Sequence, residues 1–243
     1  MARAFVGTSG FYYNHWKDGV FYPKGLPKKE WFRFYTSRFN TVELNSTFYR
    51  LPKIEVFKNW YKKAPKDFVF VLKGSRFISH IKKFGEVEEA WEQFWERARL
   101  LGEKLGPILF QTPPSWQKDV GRLRRFLEIV PRNVRFAFEF RNASWFDEEV
   151  YEILRNFGAC LCFVSSPSWP TAEVVTSDFI YVRFHGEERL YASNYSEEKL
   201  RKWAEKFKKW LGEGKDVYAY FNNDALGYAP KNAEILKKLL ERE

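Results

Sequence analysis

The residues of this chain best suited to chemistry sit at the C-terminal ends of short apolar runs, far apart in sequence: Glu43, Asn45, Lys73, Gln111, Glu139, Arg141, Arg183, His185 and Asn222. Arg50, Arg76, His80, Asn223 and Asp224 follow close behind in the next loops. Guanidinium and ammonium groups hold phosphate oxygens and stabilise developing negative charge. Carboxylates and an imidazole can take or give a proton near neutral pH. Together these types suit an anionic substrate, with Lys73, Arg141 and Arg183 on its charge and Glu43, Glu139 and His185 as proton carriers. A hydrogen-bonded structural role beside Gly186 is the alternative for His185, and His80 either touches phosphate or lies in solvent.

Such residues act together only if the fold gathers them. Short apolar runs alternate with longer amphipathic stretches along the whole chain, the pattern of repeated βα units and a parallel sheet. The runs are Ala4 to Thr8, Thr41 to Asn45, Phe68 to Lys73, Ile108 to Gln111, Val134 to Arg141, Ala159 to Val164, Phe179 to His185 and Val217 to Asn222. Between them lie helical stripes such as Val87, Ala90, Trp91, Phe94, Trp95, Ala98 and Leu101, with apolar steps of three and four. Helix starts are signalled by Asp147 before two glutamates, Ser196 before two more, and Pro230. The unit after the sixth run is irregular, because Ser165-Ser166-Pro167-Ser168-Trp169-Pro170 is too broken for a helix. Eight strands at this spacing predict one (β/α)8 barrel over residues 1–243, and its 243 residues match the roughly 250 typical of that fold.

Alternation sorts the strand residues. Val42 and Leu44, Phe136, Phe138 and Phe140, and Ile180, Val182 and Phe184 make helix-facing sets, leaving the polar residues named above to point inward. Buried charges are costly unless paired, so a ring of them at one mouth marks a site rather than scattered ion pairs. The longest connection, Ser9 to Lys28, carries Phe11, Tyr12, Tyr13, His15, Trp16, Phe21 and Tyr22. Two readings stand for it: an aromatic plug over one end of the barrel, or rings such as Phe11 and Trp16 stacking on a ligand.

Composition narrows the class. Hydrophobic residues make up 45% and charged residues 30%, which excludes a disordered or low-complexity chain. No run of about 18 apolar residues occurs and the N-terminus lacks a signal-peptide pattern, so a soluble, cytoplasmic protein without membrane contact is expected. Lys and Arg number 41 against 31 Asp and Glu, a net charge of +10, which favours anionic ligands or nucleic acid as partners. Cys160 and Cys162 are two apart in an apolar run and read as small hydrophobes, with no disulfide and no thiol chemistry expected.

The segments Gly7-Thr8-Ser9-Gly10-Phe11, Thr41 to Tyr49, Gly106-Pro107 with Gln111-Thr112-Pro113-Pro114, Phe138-Glu139-Phe140-Arg141, Arg183-Phe184-His185-Gly186 and Tyr220 to Asp224 resemble the motifs of the domain-of-unknown-function family seventy-two, also called YecE-like. The resemblance spans nearly the whole chain. It implies a (β/α)8 barrel, and it brings no catalytic residues because the family has no settled activity. The family has been compared with metal-dependent barrel endonucleases that cut at abasic sites. Those use several histidines to hold a zinc cluster, whereas His15, His80 and His185 are all this chain has, so a multinuclear cage is not expected. No cofactor is predicted firmly; one Mg²⁺ or Mn²⁺ on Glu43, Glu139, Asp224 and waters is the arrangement left open.

The leading functional reading is therefore an enzyme acting on a phosphoester, nucleic acid included, with Asn45, Arg50, Arg76, Gln111, Asn222, Asn223 and Asp224 helping to bind it. A non-catalytic nucleic-acid-binding barrel is the first alternative. A glycosidase using Glu43 and Glu139 is the second, and it requires one of the two to be protonated. A Schiff-base enzyme built on Lys73 is the third.

Overall fold

The computed structural model describes residues 1–241. In chain order its elements are β1 (Ala4–Thr8), α1 (Trp31–Arg38), β2 (Thr41–Leu44), the single turn α2 (Ser46–Tyr49), α3 (Ile54–Lys63), β3 (Val69–Lys73) and α4 (Glu88–Ala98). They continue with β4 (Leu105–Gln111), α5 (Val120–Ile129), β5 (Phe136–Glu139), α6 (Glu148–Phe157), β6 (Cys160–Leu161), β7 (Phe163–Ser165), β8 (Phe179–Phe184), α7 (Glu197–Gly212), β9 (Asp216–Phe221) and α8 (Tyr228–Glu241). Every strand pairing is parallel. The strands form two arcs, β1-β9-β8-β7 and β2-β3-β4-β5-β6, and two seams join them into a (β/α)8 barrel.

At the first seam the sixth barrel strand is split into β6 and β7 at Cys162, whose N–H still reaches the Phe138 carbonyl at 2.9 Å. At the second, β1 and β2 share only the bridge Ser9 to Glu43. There Tyr35 of α1 inserts its hydroxyl, which accepts the Thr8 N–H and donates to the Thr41 carbonyl, both at 3.0 Å. A side chain thus replaces a missing ladder bond, which leaves no buried strand edge unsatisfied at this point.

Strand alternation separates two apolar layers. Val42, Leu44, Phe138, Val182 and Phe184 pack outward against the helices. Phe5, Val71, Leu109, Ala137, Cys162, Tyr181 and Tyr220 fill the barrel interior. Both cysteines are free and buried in that interior, where burial pushes their thiols up, Cys160 to about 12. The caps predicted at Asp147 and Ser196 form, accepting from the Glu149 and Lys199 amides. Pro230 falls in the first turn of α8.

The differences from the predicted strands have local causes. β4 starts at Leu105 rather than at Ile108, because the β3–β4 register shifts between Phe70 and Leu72 and so accommodates Pro107, which has no N–H for the ladder. The unit after β7 holds no helix, as predicted. Its hydroxyls do the pairing instead: Thr176 accepts the Leu161 N–H at 2.8 Å and Thr171 the Val164 N–H at 3.0 Å. Among the described residues no helix is long and apolar enough to cross a membrane.

Candidate functional site

Inward positions near the C-terminal ends of β2, β5 and β8 deliver three charged side chains into the barrel axis. Arg183 lies 1% exposed, and Glu43 and Glu139 are completely buried. Arg183 donates to Glu43 through Nε at 3.0 Å and Nη2 at 2.8 Å, and to Glu139 through Nη1. The remaining Glu43 lone pairs accept from Ser9 at 2.7 Å and Tyr181 at 2.6 Å. Arg141 Nε donates to Glu139 at 2.8 Å. Burial pushes both carboxyls up, but the guanidinium of Arg183 outweighs it: Glu43 is held below its ordinary value, and Glu139, with Arg141 and His185 also beside it, well below.

His185 closes the network from behind. Its Nδ1 accepts from the Asn222 amide at 3.2 Å, which places the proton on Nε2, 3.5 Å from Glu139 and so at the limit of a useful bond. Burial pushes its imidazole below the ordinary value despite the neighbouring carboxylate. The Gly186 that follows has φ +119°, and a Cβ there would lie 2.3 Å from the Arg189 carbonyl. Only glycine allows that turn, and the turn returns Tyr191 to the site, where its hydroxyl accepts from Arg141 Nη2 at 3.1 Å.

Above this layer opens a cavity of ≈ 660 Å³, within the usual range for small-molecule sites. Of the residues singled out in the sequence, Tyr13, Asn45, Lys73, Arg76, His80, Gln111, Arg141, Arg183, Asn222 and Asp224 line it. Glu43, Glu139 and His185 stand behind the wall at 0% exposure. Arg50 is exposed outside the cavity. Asn223 is buried, its amide donating to the Ser193 carbonyl and to Asn232. Trp16 is wholly buried with its ring 4.8 Å from that of Tyr13, and Phe11 packs 5.1 Å from Phe32. Phe11 and Trp16 pack as a plug, while Tyr13 of the same loop faces the cavity together with Phe48, Tyr49 and Tyr191.

Lys73, Asp224 and His80 are titratable groups in the cavity wall. Lys73 Nζ donates to Gln111 Oε1 at 2.7 Å and sits 4.2 Å from the centre of the Phe48 ring. Burial first, then the charge of Arg183, brings its amine down to about 7. Asp224 is raised by burial, which His15 at 3.4 Å opposes. His80, half-buried on the turn after β3, is brought to about 4 by burial and by Lys73 and Arg76.

No group of three His, Cys, Asp or Glu among the described residues could hold a metal ion. Of the carboxylates considered for one, Glu43, Glu139 and Asp224, the first two spend their oxygens on arginines, and Asp224 lies 3.4 Å from His15. Sequence reasoning missed Tyr191, because a loop residue with φ +62° has no periodicity to betray it. It also gave Glu43, Glu139 and His185 no depth along the barrel axis, since inward alternation does not say which inward residue reaches the cavity.

This is a parallel α/β barrel whose polar residues converge at the C-terminal ends of the strands. The family model described as protein of unknown function DUF72 matches residues 5–243, and the chain belongs to that family. It is 27% identical to the UPF0759 protein YunF of Bacillus subtilis over 93% of this chain and 92% of that one. It is 30% identical to UPF0759 protein YecE of Escherichia coli K12 over 51% of this chain and 46% of that one. Among solved structures it is similar to a DUF72 family protein of Thermotoga maritima, TM1631, with a TM-score of 0.89 and 34% identity over 99% of this chain and all of that one. A second, EF0366 of Enterococcus faecalis, gives a TM-score of 0.84 at 22% identity over 99% and 96% of the two chains.

Proposed function

We propose that the protein is an enzyme acting on a phosphoester bound in the cavity at the barrel mouth. The observation that carries this reading is the composition of the wall, where Lys73, Arg76, Arg141 and Arg183 face the cavity against one carboxylate, Asp224. Arg141 is the principal phosphate ligand: Nε and Nη2 are held by Glu139 and Tyr191, its Cζ lies 4.4 Å from the centre of the Trp169 ring, and the residue lines the cavity. A guanidinium fixed in this way binds an oxyanion with little loss of side-chain freedom.

In this reading Asp224 and Lys73, which line the cavity, carry the proton transfers in place of the buried Glu43 and Glu139. Burial shifts the Asp224 carboxyl towards its protonated form, the form that serves a leaving oxygen, and an amine near 7 is half free base at neutrality and can accept a proton from water. Glu43 and Glu139 position Arg183 and Arg141. The same saturation counts against a glycosidase, which needs one protonated acid of the pair.

The test is turnover of a phosphoester panel, comprising labelled single-stranded, duplex and abasic-site oligonucleotides and small phosphomonoesters, with and without Mg²⁺ or Mn²⁺. Wild type should cleave at least one class, and Asp224→Asn should lower kcat while Arg141→Gln raises KM. Oligonucleotide binding that modest salt abolishes, with no turnover by any enzyme form, would instead select the non-catalytic nucleic-acid-binding barrel. Absence of both binding and turnover across the panel overturns the phosphoester reading.

A further inference from the structure

We propose that Lys73 is a nucleophilic amine that captures an aldehyde or ketone carrying a phosphate group, forming an imine in the cavity. The inference rests on the anion site of the preceding reading for its substrate class, but the amine's role has independent support.

Lys73 and Lys104 are the two buried lysines among the described residues, and the contrast between them is informative. Lys104 is tied down by two backbone carbonyls, those of Tyr61 and Ala64, each at 2.8 Å, and it lies outside the cavity. Lys73 ends in the cavity wall, is 8% exposed, and among the described residues forms no ion pair with a carboxylate. Its hydrogen-bond partner is a neutral amide, Gln111. The charged groups around it are mixed: Arg183 of β8 and Arg141 after β5 disfavour the ammonium, while Glu139 of β5 and Glu43 of β2 favour it, and His80 on the neighbouring turn is held neutral well above its value of about 4. Burial decides the balance and leaves a large share of free amine at neutral pH. An amine kept to bind phosphate alone would gain from a nearby carboxylate holding it charged. This one is arranged to lose its proton.

The step balances without a further reactant. The free Nζ adds to the carbonyl carbon, a C–N bond forms, and the carbonyl oxygen gains the proton that nitrogen loses. Asp224, on the same cavity wall, protonates the resulting hydroxyl as the C–O bond breaks and water leaves. The Asp224 carboxylate then recovers a proton from the iminium nitrogen, and the net change is amine plus carbonyl to imine plus water. A phosphate on the carbonyl compound would be held by Arg141 and Arg76 of the same wall.

The experiment uses pyridoxal 5′-phosphate and its unphosphorylated form, pyridoxal, as probes with wild-type protein, followed by borohydride reduction and peptide mapping. At neutral pH the phosphorylated probe should modify Lys73 on the order of a thousandfold faster than exposed lysines, because an ordinary lysine is almost wholly protonated there. The rate should reach half its maximum near pH 7, the value of the amine, and Lys73→Arg should remove the adduct while leaving surface labelling unchanged. Pyridoxal should label the same residue more slowly. Equal rates for the two probes would overturn the phosphorylated class and with it the anion-site reading, and label spread over surface lysines with Lys73 unmodified would overturn the role of the amine. Mapping and pH profile are read on wild type, so an unstable variant does not spoil the test.

Discussion

Arg183 and Glu43 meet inside the barrel through two parallel hydrogen bonds of 3.0 and 2.8 Å, and they belong to different arcs of the wall. Arg183 lies on β8 of the four-stranded arc, whereas Glu43 on β2 and Glu139 on β5 lie on the five-stranded one. The bidentate pair is therefore a staple across the barrel as well as the floor of the cavity. Because it sits where solvent cannot screen it, removing one partner leaves a charge without compensation.

Arg183→Met strands the buried Glu43 carboxylate and leaves Glu139 with Arg141 alone, whereas Glu43→Gln leaves Arg183 still paired with Glu139. Breaking a buried pair from one side costs about 3–5 kcal/mol, so denaturant midpoints should fall strongly for Arg183→Met and less for Glu43→Gln. The double variant should lose less than the sum of the two. Additive losses would mean that the pair is not coupled in the folded state.

Acid should destabilise the fold in two stages. His185 has a folded value below its ordinary 6.5, so the unfolded chain binds a proton that the folded chain refuses, and stability starts to fall as pH drops below that point. Glu43 and Glu139 are held below their ordinary 4.5; their contribution is complete above that value and is lost as pH falls through the folded ones. Thermal unfolding followed against pH should show both limbs, and Glu139→Gln should flatten the lower. A midpoint constant from neutrality to the acid carboxylate range would contradict the assignment.

Much of this was legible in the residues, and the remainder was not for physical reasons. Period-two alternation put Glu43, Glu139 and Arg183 inward because helices demand apolar partners on the other face. It could not tell that Arg183 would consume both carboxylates, since depth along the barrel axis depends on strand stagger. The plug built from Phe11 and Trp16 and the cavity rings Phe48 and Tyr191 have the same composition, so only packing distinguishes them. The β1–β2 seam was hidden too, because the group that closes it is Tyr35, a helix residue whose sequence context reads as ordinary core.

That seam gives a sharp test. Tyr35→Phe keeps the ring, which packs on Phe11 at 5.7 Å and Phe39 at 5.0 Å, and removes only the hydroxyl between Thr8 and Thr41. Leaving a buried donor unsatisfied costs about 1–3 kcal/mol. The variant should lose that much stability, with faster amide exchange at Thr8 than elsewhere in β1. A change within about 0.5 kcal/mol, the scatter of neutral substitutions, would show that the seam closes without the hydroxyl.

Replacing Lys73 should stabilise the protein, which separates a functional amine from a structural one. Its folded value of about 7 lies below the ordinary 10.5. Below the folded value both states carry the charge and the full burial penalty applies; between the two values the unfolded chain alone binds the proton, so stability rises with pH there. Lys73→Met removes the penalty and keeps an unbranched chain against Phe48, at the cost of the hydrogen bond to Gln111. The variant should therefore outlast wild type most at mildly acidic pH, with the gap closing as the ordinary lysine value is approached. Sites kept for activity at the expense of stability behave in this way. A Lys73→Met protein less stable than wild type by the same margin at every pH would mean that the amine holds the barrel together and is under no burial penalty.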